Sequence, residues 1–168
     1  NTTKYDKILN NQRIEIYNQR DYVLTHDCSS LIEKMIEVVL TNEIQSISNE
    51  DLTKFLVKEF SMKEKDLKSL ELEDIISYGK TLYKKYLELI EEDKILPNLN
   101  YIILTVVDNY WIKHLVDMSE LKQDIKLMSY RGEDPVRLYA KEGYELFENM
   151  NYNIKKDIIK NIFKFVNE

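Results

Sequence analysis

The chain has 168 residues, 43% of them hydrophobic and 32% charged, with only three glycines and two prolines. That composition specifies a folded, helix-rich domain or two small ones, and excludes both a disordered chain and a strand-rich sandwich, which needs many turn residues. Thirty acidic against 24 basic residues leave a net charge of −6, which repels phosphate backbones and argues against nucleic acid as a partner.

The single cysteine, Cys28, excludes an intrachain disulfide and any multi-cysteine metal site, and fits a reducing compartment. No apolar run approaches the roughly 18 to 20 residues of a spanning helix, the longest candidate being Tyr101 to Val107. The opening residues Asn1-Thr2-Thr3-Lys4 contain no Met and no signal pattern, and a helical pattern begins almost at once, as expected for a piece of a longer protein.

From Lys4 to about Leu24, Tyr5, Leu9, Ile16 and Val23 fall at helical spacing and predict one amphipathic helix. Ser30 with Glu33 three residues on reads as a capping box opening a second helix to about Gln45, and Ser48 with Asp51 opens a short third ending near Phe60. The charged stretch Ser61 to Glu71 has no apolar stripe and reads as a loop. A further helix from about Leu72 to Ile95 is expected to stop at Pro97. Residues 26–97 carry ten basic and sixteen acidic residues, whereas residues 1–25 and 98–168 are nearly neutral. The pattern suggests an acidic helical subdomain inserted between two scaffold segments.

In the last third, Ile103, Val107, Trp111, Leu115, Met118, Leu121 and Ile125 share one face of a helix from about Asn98 to Leu127. Asp134-Pro135 then supplies an N-cap and a first-turn proline for a final helix. Its stripe is Val136, Tyr139, Gly143, Phe147, Met150, Ile154, Ile158, Ile162 and Phe165. So short a connector predicts an antiparallel pair, and Gly143 on the buried stripe predicts close approach of the two helices. A last helix from Pro135 to Val166 spans about 48 Å against a radius of gyration of about 15 Å for a compact chain of this length, which predicts an elongated molecule.

No glycine-rich phosphate loop, Gly-x-Ser-x-Gly elbow or His-Glu-x-x-His motif occurs. His26 and Cys28 supply two metal ligands where four are usual, so no metal is expected. Trp111 reads as a core anchor of the pairing face with a half-buried His114 imidazole beside it, and Arg13 and Arg20, two turns apart on one side, as surface charge or as a grip on a neighbouring domain. The segment Leu127-Met128-Ser129-Tyr130-Arg131-Gly132 places Met and Tyr where packing does not demand them, a soft surface suited to varied peptides. These features leave open a free-standing helical adaptor. A helix-turn-helix DNA binder needs a basic recognition face, which the ten basic and eleven acidic residues of 98–168 do not provide.

The run Val107-Asp108-Asn109-Tyr110-Trp111-Ile112-Lys113-His114-Leu115-Val116-Asp117-Met118-Ser119-Glu120-Leu121, with Tyr130, Asp134-Pro135, Tyr139, Glu142-Gly143 and Leu146-Phe147-Glu148-Asn149-Met150, closely resembles the C-terminal part of the SecA preprotein translocase ATPases. Tyr5-Asp6, Gln12-Arg13, Ile16-Tyr17, Arg20 and Val23-Leu24 resemble the first long helix of that family's scaffold. The resemblance implies an all-α architecture: an elongated helical scaffold with residues 1–25 as its first helix, a helical wing at 26–97, and a two-helix finger with the C-terminal long helix at 98–168. It implies no catalytic site here, with ATP and Mg held by upstream motor domains of the same parent chain. The implied partners are those domains, unfolded preprotein and the SecYEG channel, and the implied location is cytoplasmic, peripheral at the inner face of the cell membrane. By the same resemblance Met128, Ser129, Tyr130 and Arg131 form the finger tip that touches preprotein or channel, and Arg13, Tyr17, Arg20, Trp111 and His114 couple the scaffold to its neighbours. Met128-Ser129 stands where housekeeping members read Arg-Gly, Asp124 where glycine is usual, and Glu133 just before Asp134. These departures resemble an accessory SecA, with a divergent housekeeping protein as the alternative.

Overall fold

Helical periodicity and the shortage of chain-breaking residues yield seven α-helices and no strand among the described residues of the computed structural model, 2–128 and 132–168 without the side chain of Thr2. In chain order they are α1 (Thr2–Thr25), α2 (Ser29–Ser46), α3 (Asn49–Phe60), α4 (Glu64–Leu67), α5 (Asp74–Leu89), α6 (Glu92–Leu127) and α7 (Pro135–Asn167). The chain forms two compact units, one of residues Asn1–His26 and Leu104–Ile154, the other of Asp27–Ile103 and Lys155–Glu168.

In the first unit α1 packs against α6 and α7. Tyr5, Met118, Ile125 and Tyr139 form a buried cluster, with Leu9, Leu121, Val136 and Leu146 packed around it. The Tyr5 and Tyr139 rings meet edge to face at 5.0 Å, the arrangement favoured by aromatic quadrupoles. Met118 faces Gly143, and Ile125, further along α6, joins Tyr139, earlier in α7, so the helices run in opposite directions. A Cβ on Gly143 would stand 2.7 Å from Met118 Cε, so the glycine permits the close approach. Asp134 caps α7, its carboxylate accepting the Val136 N–H at 3.1 Å, and Pro135 fills the first-turn position, where no N–H is needed.

In the second unit α5 packs on α2, and the end of α7 lies against both. Gly79 allows this: a Cβ there would be 2.7 Å from Leu40, 3.0 Å from Ile36 and 3.3 Å from Phe163. The Tyr83 hydroxyl donates to the Ser29 carbonyl at 2.8 Å. Lys156 pairs with Glu43 at 2.7 Å, Lys160 pairs with Glu59 at 3.1 Å, and Asn167 donates to the Ser61 carbonyl at 2.9 Å.

Several local expectations are corrected. Pro97 does not end a helix; it lies inside α6, near its N-terminus, where a missing N–H costs one early bond. The break comes earlier, at Ile90, which turns extended at φ −112° and ψ 136° with no glycine or proline to announce it. The Ser30 capping box does not form, because α2 starts at Ser29 with Cys28 as N-cap, and the Asp27 carboxylate accepts the Ser29 N–H at 2.9 Å. Ser48 does precede α3, but its hydroxyl donates to the Asp51 carboxylate at 3.1 Å instead of accepting a backbone N–H. The stretch read as a loop contains α4, whose Leu67 is buried. At the end of α7 the expected Ile158 and Ile162 are buried with Phe163 beside them, but Phe165 is 52% exposed.

Candidate functional site

The polar chemistry of the first unit gathers where α1, α6 and α7 meet. On α1, Gln12 continues the stripe of Tyr5, Leu9 and Ile16, and its side chain is buried with them. Its amide nitrogen donates to the Gly143 carbonyl of α7 at 3.1 Å. Its amide oxygen accepts from His114 Nε2 of α6 at 2.7 Å. An amide oxygen only accepts, so the imidazole is the Nε2–H tautomer with Nδ1 unprotonated. Burial pushes the His114 pKa below its ordinary value, with Lys113 acting in the same direction and Asp117 against it. The ring is 2% exposed, lies 5.4 Å from Trp111 and 5.7 Å from Phe147, and lines a cavity of about 110 Å³ with Tyr110, Asn149 and Asn153.

Further along, α1 and α6 build a surface cleft. Arg20 grips Asp108 with two parallel bonds, Nε to Oδ1 at 2.7 Å and Nη2 to Oδ2 at 3.2 Å. This fork geometry fixes the orientation of α1 on α6, although a pair so exposed contributes only about 0 to 1 kcal/mol. With Tyr17, Asp21, Trp111 and Ile112 it lines a cleft of about 500 Å³. Tyr17 is half exposed and Ile112 63% exposed, so the cleft offers apolar banks around a charged floor. A second cleft, about 440 Å³ between α6 and α7, is walled by Asp117, Glu120, Asp124, Glu142 and Glu145, a face that repels phosphate.

Of the residues singled out from sequence, Tyr17, Arg20 and Trp111 line one cleft, His114 is buried on the adjoining side, and Arg13 is half-buried on α1. Met128 is a half-buried turn residue closing α6, its N–H bonded to the Asp124 and Ile125 carbonyls at 3.2 and 3.0 Å. Ser129, Tyr130 and Arg131 lie outside the described residues. His26 stacks on Tyr22 at 3.9 Å and Cys28 is buried. No cluster of three or more His, Cys, Asp or Glu among the described residues is placed to hold a metal, and no described helix is long and apolar enough to cross a membrane. Sequence reasoning missed Gln12 and Asp108 as site residues; a polar side chain on the apolar stripe was the available signal for Gln12.

The chain matches the family model for the SecA Wing and Scaffold domain over residues 1–166. Protein translocase subunit SecA of Finegoldia magna is 32% identical, covering 97% of this chain and 20% of its own length. The subunit of Clostridium botulinum strain Okra is 36% identical over 95% of the chain and 21% of its own length. Protein translocase subunit SecA 2 of Clostridioides difficile is 33% identical over 98% and 23%. The chain therefore spans about a fifth of the length of these curated relatives.

Proposed function

We propose a transmission role for this chain, which belongs to the SecA wing and scaffold domain family. The parent protein is an ATP-driven preprotein translocase, and this part passes nucleotide-driven movement from motor domains elsewhere in the parent to the translocating chain at the SecYEG channel. Residues 26–97 are its wing, and residues 1–25 and 98–168 its scaffold. The segment joining α6 to α7 is the finger tip, with Met128, Ser129, Tyr130 and Arg131 meeting preprotein or channel. The cleft of Tyr17, Arg20 and Trp111, with Arg13 and His114 beside it, couples the scaffold to neighbouring domains. Relatives called SecA and SecA 2 are similar at like identity, so the reading concerns the family and neither branch in particular.

The observation that carries the reading is the match along nearly the whole chain to relatives whose printed names are those of protein translocase subunits. The geometry agrees with it in kind: the site consists of groups that hold helices together and surfaces that receive a partner. On this reading ATP and Mg are held by the motor domains of the parent. The purified 168-residue chain is expected to fold and to hydrolyse no ATP above a mock-purified control. Hydrolysis by this chain would overturn the division of labour.

A further inference from the structure

We infer that Gln12 is a positioning residue that pins the axial register of α6 against α7, so that the two helices move with α1 as one body instead of sliding past each other. The inference stands on the first unit alone and holds whether or not the parent is a motor. One amide makes two bonds to two different helices: it accepts from His114 Nε2 of α6 at 2.7 Å and donates to the Gly143 carbonyl of α7 at 3.1 Å. Gln12 and His114 are 8% and 2% exposed, so water does not readily replace either bond.

The steric part of the pin lies beside the polar part. Gly143 faces Met118, with its Cβ position 2.7 Å from Met118 Cε and 3.8 Å from the Gln12 amide nitrogen. Sliding α7 by one turn, about 5.4 Å, brings position 139 or 147 to this point. Both are aromatic, Tyr139 and Phe147, and both are already packed, Tyr139 against Tyr5 and Phe147 beside His114. A slipped register of α7 therefore drives a ring into Met118 and against the Gln12 amide, which loses its bond to the Gly143 carbonyl while still held by His114. The contact is selective for one register, which an apolar stripe of interchangeable Ile and Leu residues is not.

The test uses the 168-residue chain with Cys28 replaced by alanine and spin labels on cysteines introduced at the exposed positions Gln123 and Glu148. The parent of this series is expected to give one narrow inter-label distance, and its His114 ring-nitrogen resonances to report Nε2–H. Gln12→Met keeps the length and loses both bonds. It is expected to add a second distance population displaced by about 5 Å and to abolish the tautomer bias, well below its melting temperature, where a purely stabilising residue would leave one distance. Gln12→Glu keeps the acceptor and the size but loses the donor to Gly143. It is expected to broaden the distance and to hold the His114 proton to higher pH. A single unshifted distance in either variant overturns the pin, as does an Nδ1–H imidazole in the unsubstituted chain.

Discussion

His114 and Trp111 are neighbours on one helical face, and burial acts on them through different physics. For Trp111, 7% exposed, the contribution is area and fit, so Trp111→Ala leaves a void costing about 3 to 5 kcal/mol, read as a lower midpoint in denaturant. Unchanged stability would mean the ring is not part of the core. For His114 the contribution is charge: burial holds its pKa below the ordinary value in the folded state, so the unfolded chain binds the extra proton first. Stability is therefore fully present above about pH 6.5 and falls as the pH drops below it towards the folded pKa. The Asp27 and Glu59 carboxylates, lowered by the Ser29 N–H and by Lys160, lose their contribution only at more acid pH. Denaturant unfolding at pH 5 and pH 7.5 should show a loss at pH 5 that shrinks in His114→Gln. An equal loss in that variant would place the titration elsewhere. The residue identities at this site were only half legible in the sequence. Trp111 announces itself by periodicity, whereas His114, expected half-buried beside it, is buried in place of Leu115; Gln12 has partners 102 and 131 positions away, and Asp108 meets Arg20 across 88 positions. No local pattern encodes such pairings.

Among the elements, legibility follows how local the governing chemistry is. The start of α7 was readable because Asp134 and Pro135 act on their own turn, and Gly143 was readable because a glycine on a buried stripe has few other uses. The break at Ile90 was not, since no residue type marks it, and Pro97 misled because a proline near a helix start resembles one just past a helix end. The end of α3 holds a further test. Ser61 closes the helix in the left-handed region at φ 55°, the Met62 N–H reaches back to the Leu56 carbonyl at 3.3 Å, and Asn167 of α7 bonds the Ser61 carbonyl. A non-glycine residue there costs about 1 to 2 kcal/mol, partly offset by the freedom that glycine adds to the unfolded chain. Ser61→Gly is therefore expected to raise stability by up to about 1 kcal/mol, seen as a higher midpoint with unchanged slope. A lower midpoint would mean that the serine side chain holds this junction.

At the scale of the whole molecule, charge and family membership say more than any single site. The acidity is concentrated in residues 26–97, and the carboxylate-walled cleft of α6 and α7 adds a local negative field, so a partner of that segment or of that cleft is more readily cationic than anionic. Because the curated relatives are about five times as long, the proposed function is tested on the full-length parent. The most direct measurement is the amount of preprotein moved per ATP hydrolysed by the full-length parent carrying Tyr130→Ala, assayed on channel-bearing membrane vesicles beside the unsubstituted protein. The account predicts that hydrolysis continues at close to its normal rate while transport falls several-fold, because force is generated elsewhere and lost at the tip. Normal transport with normal hydrolysis would contradict it.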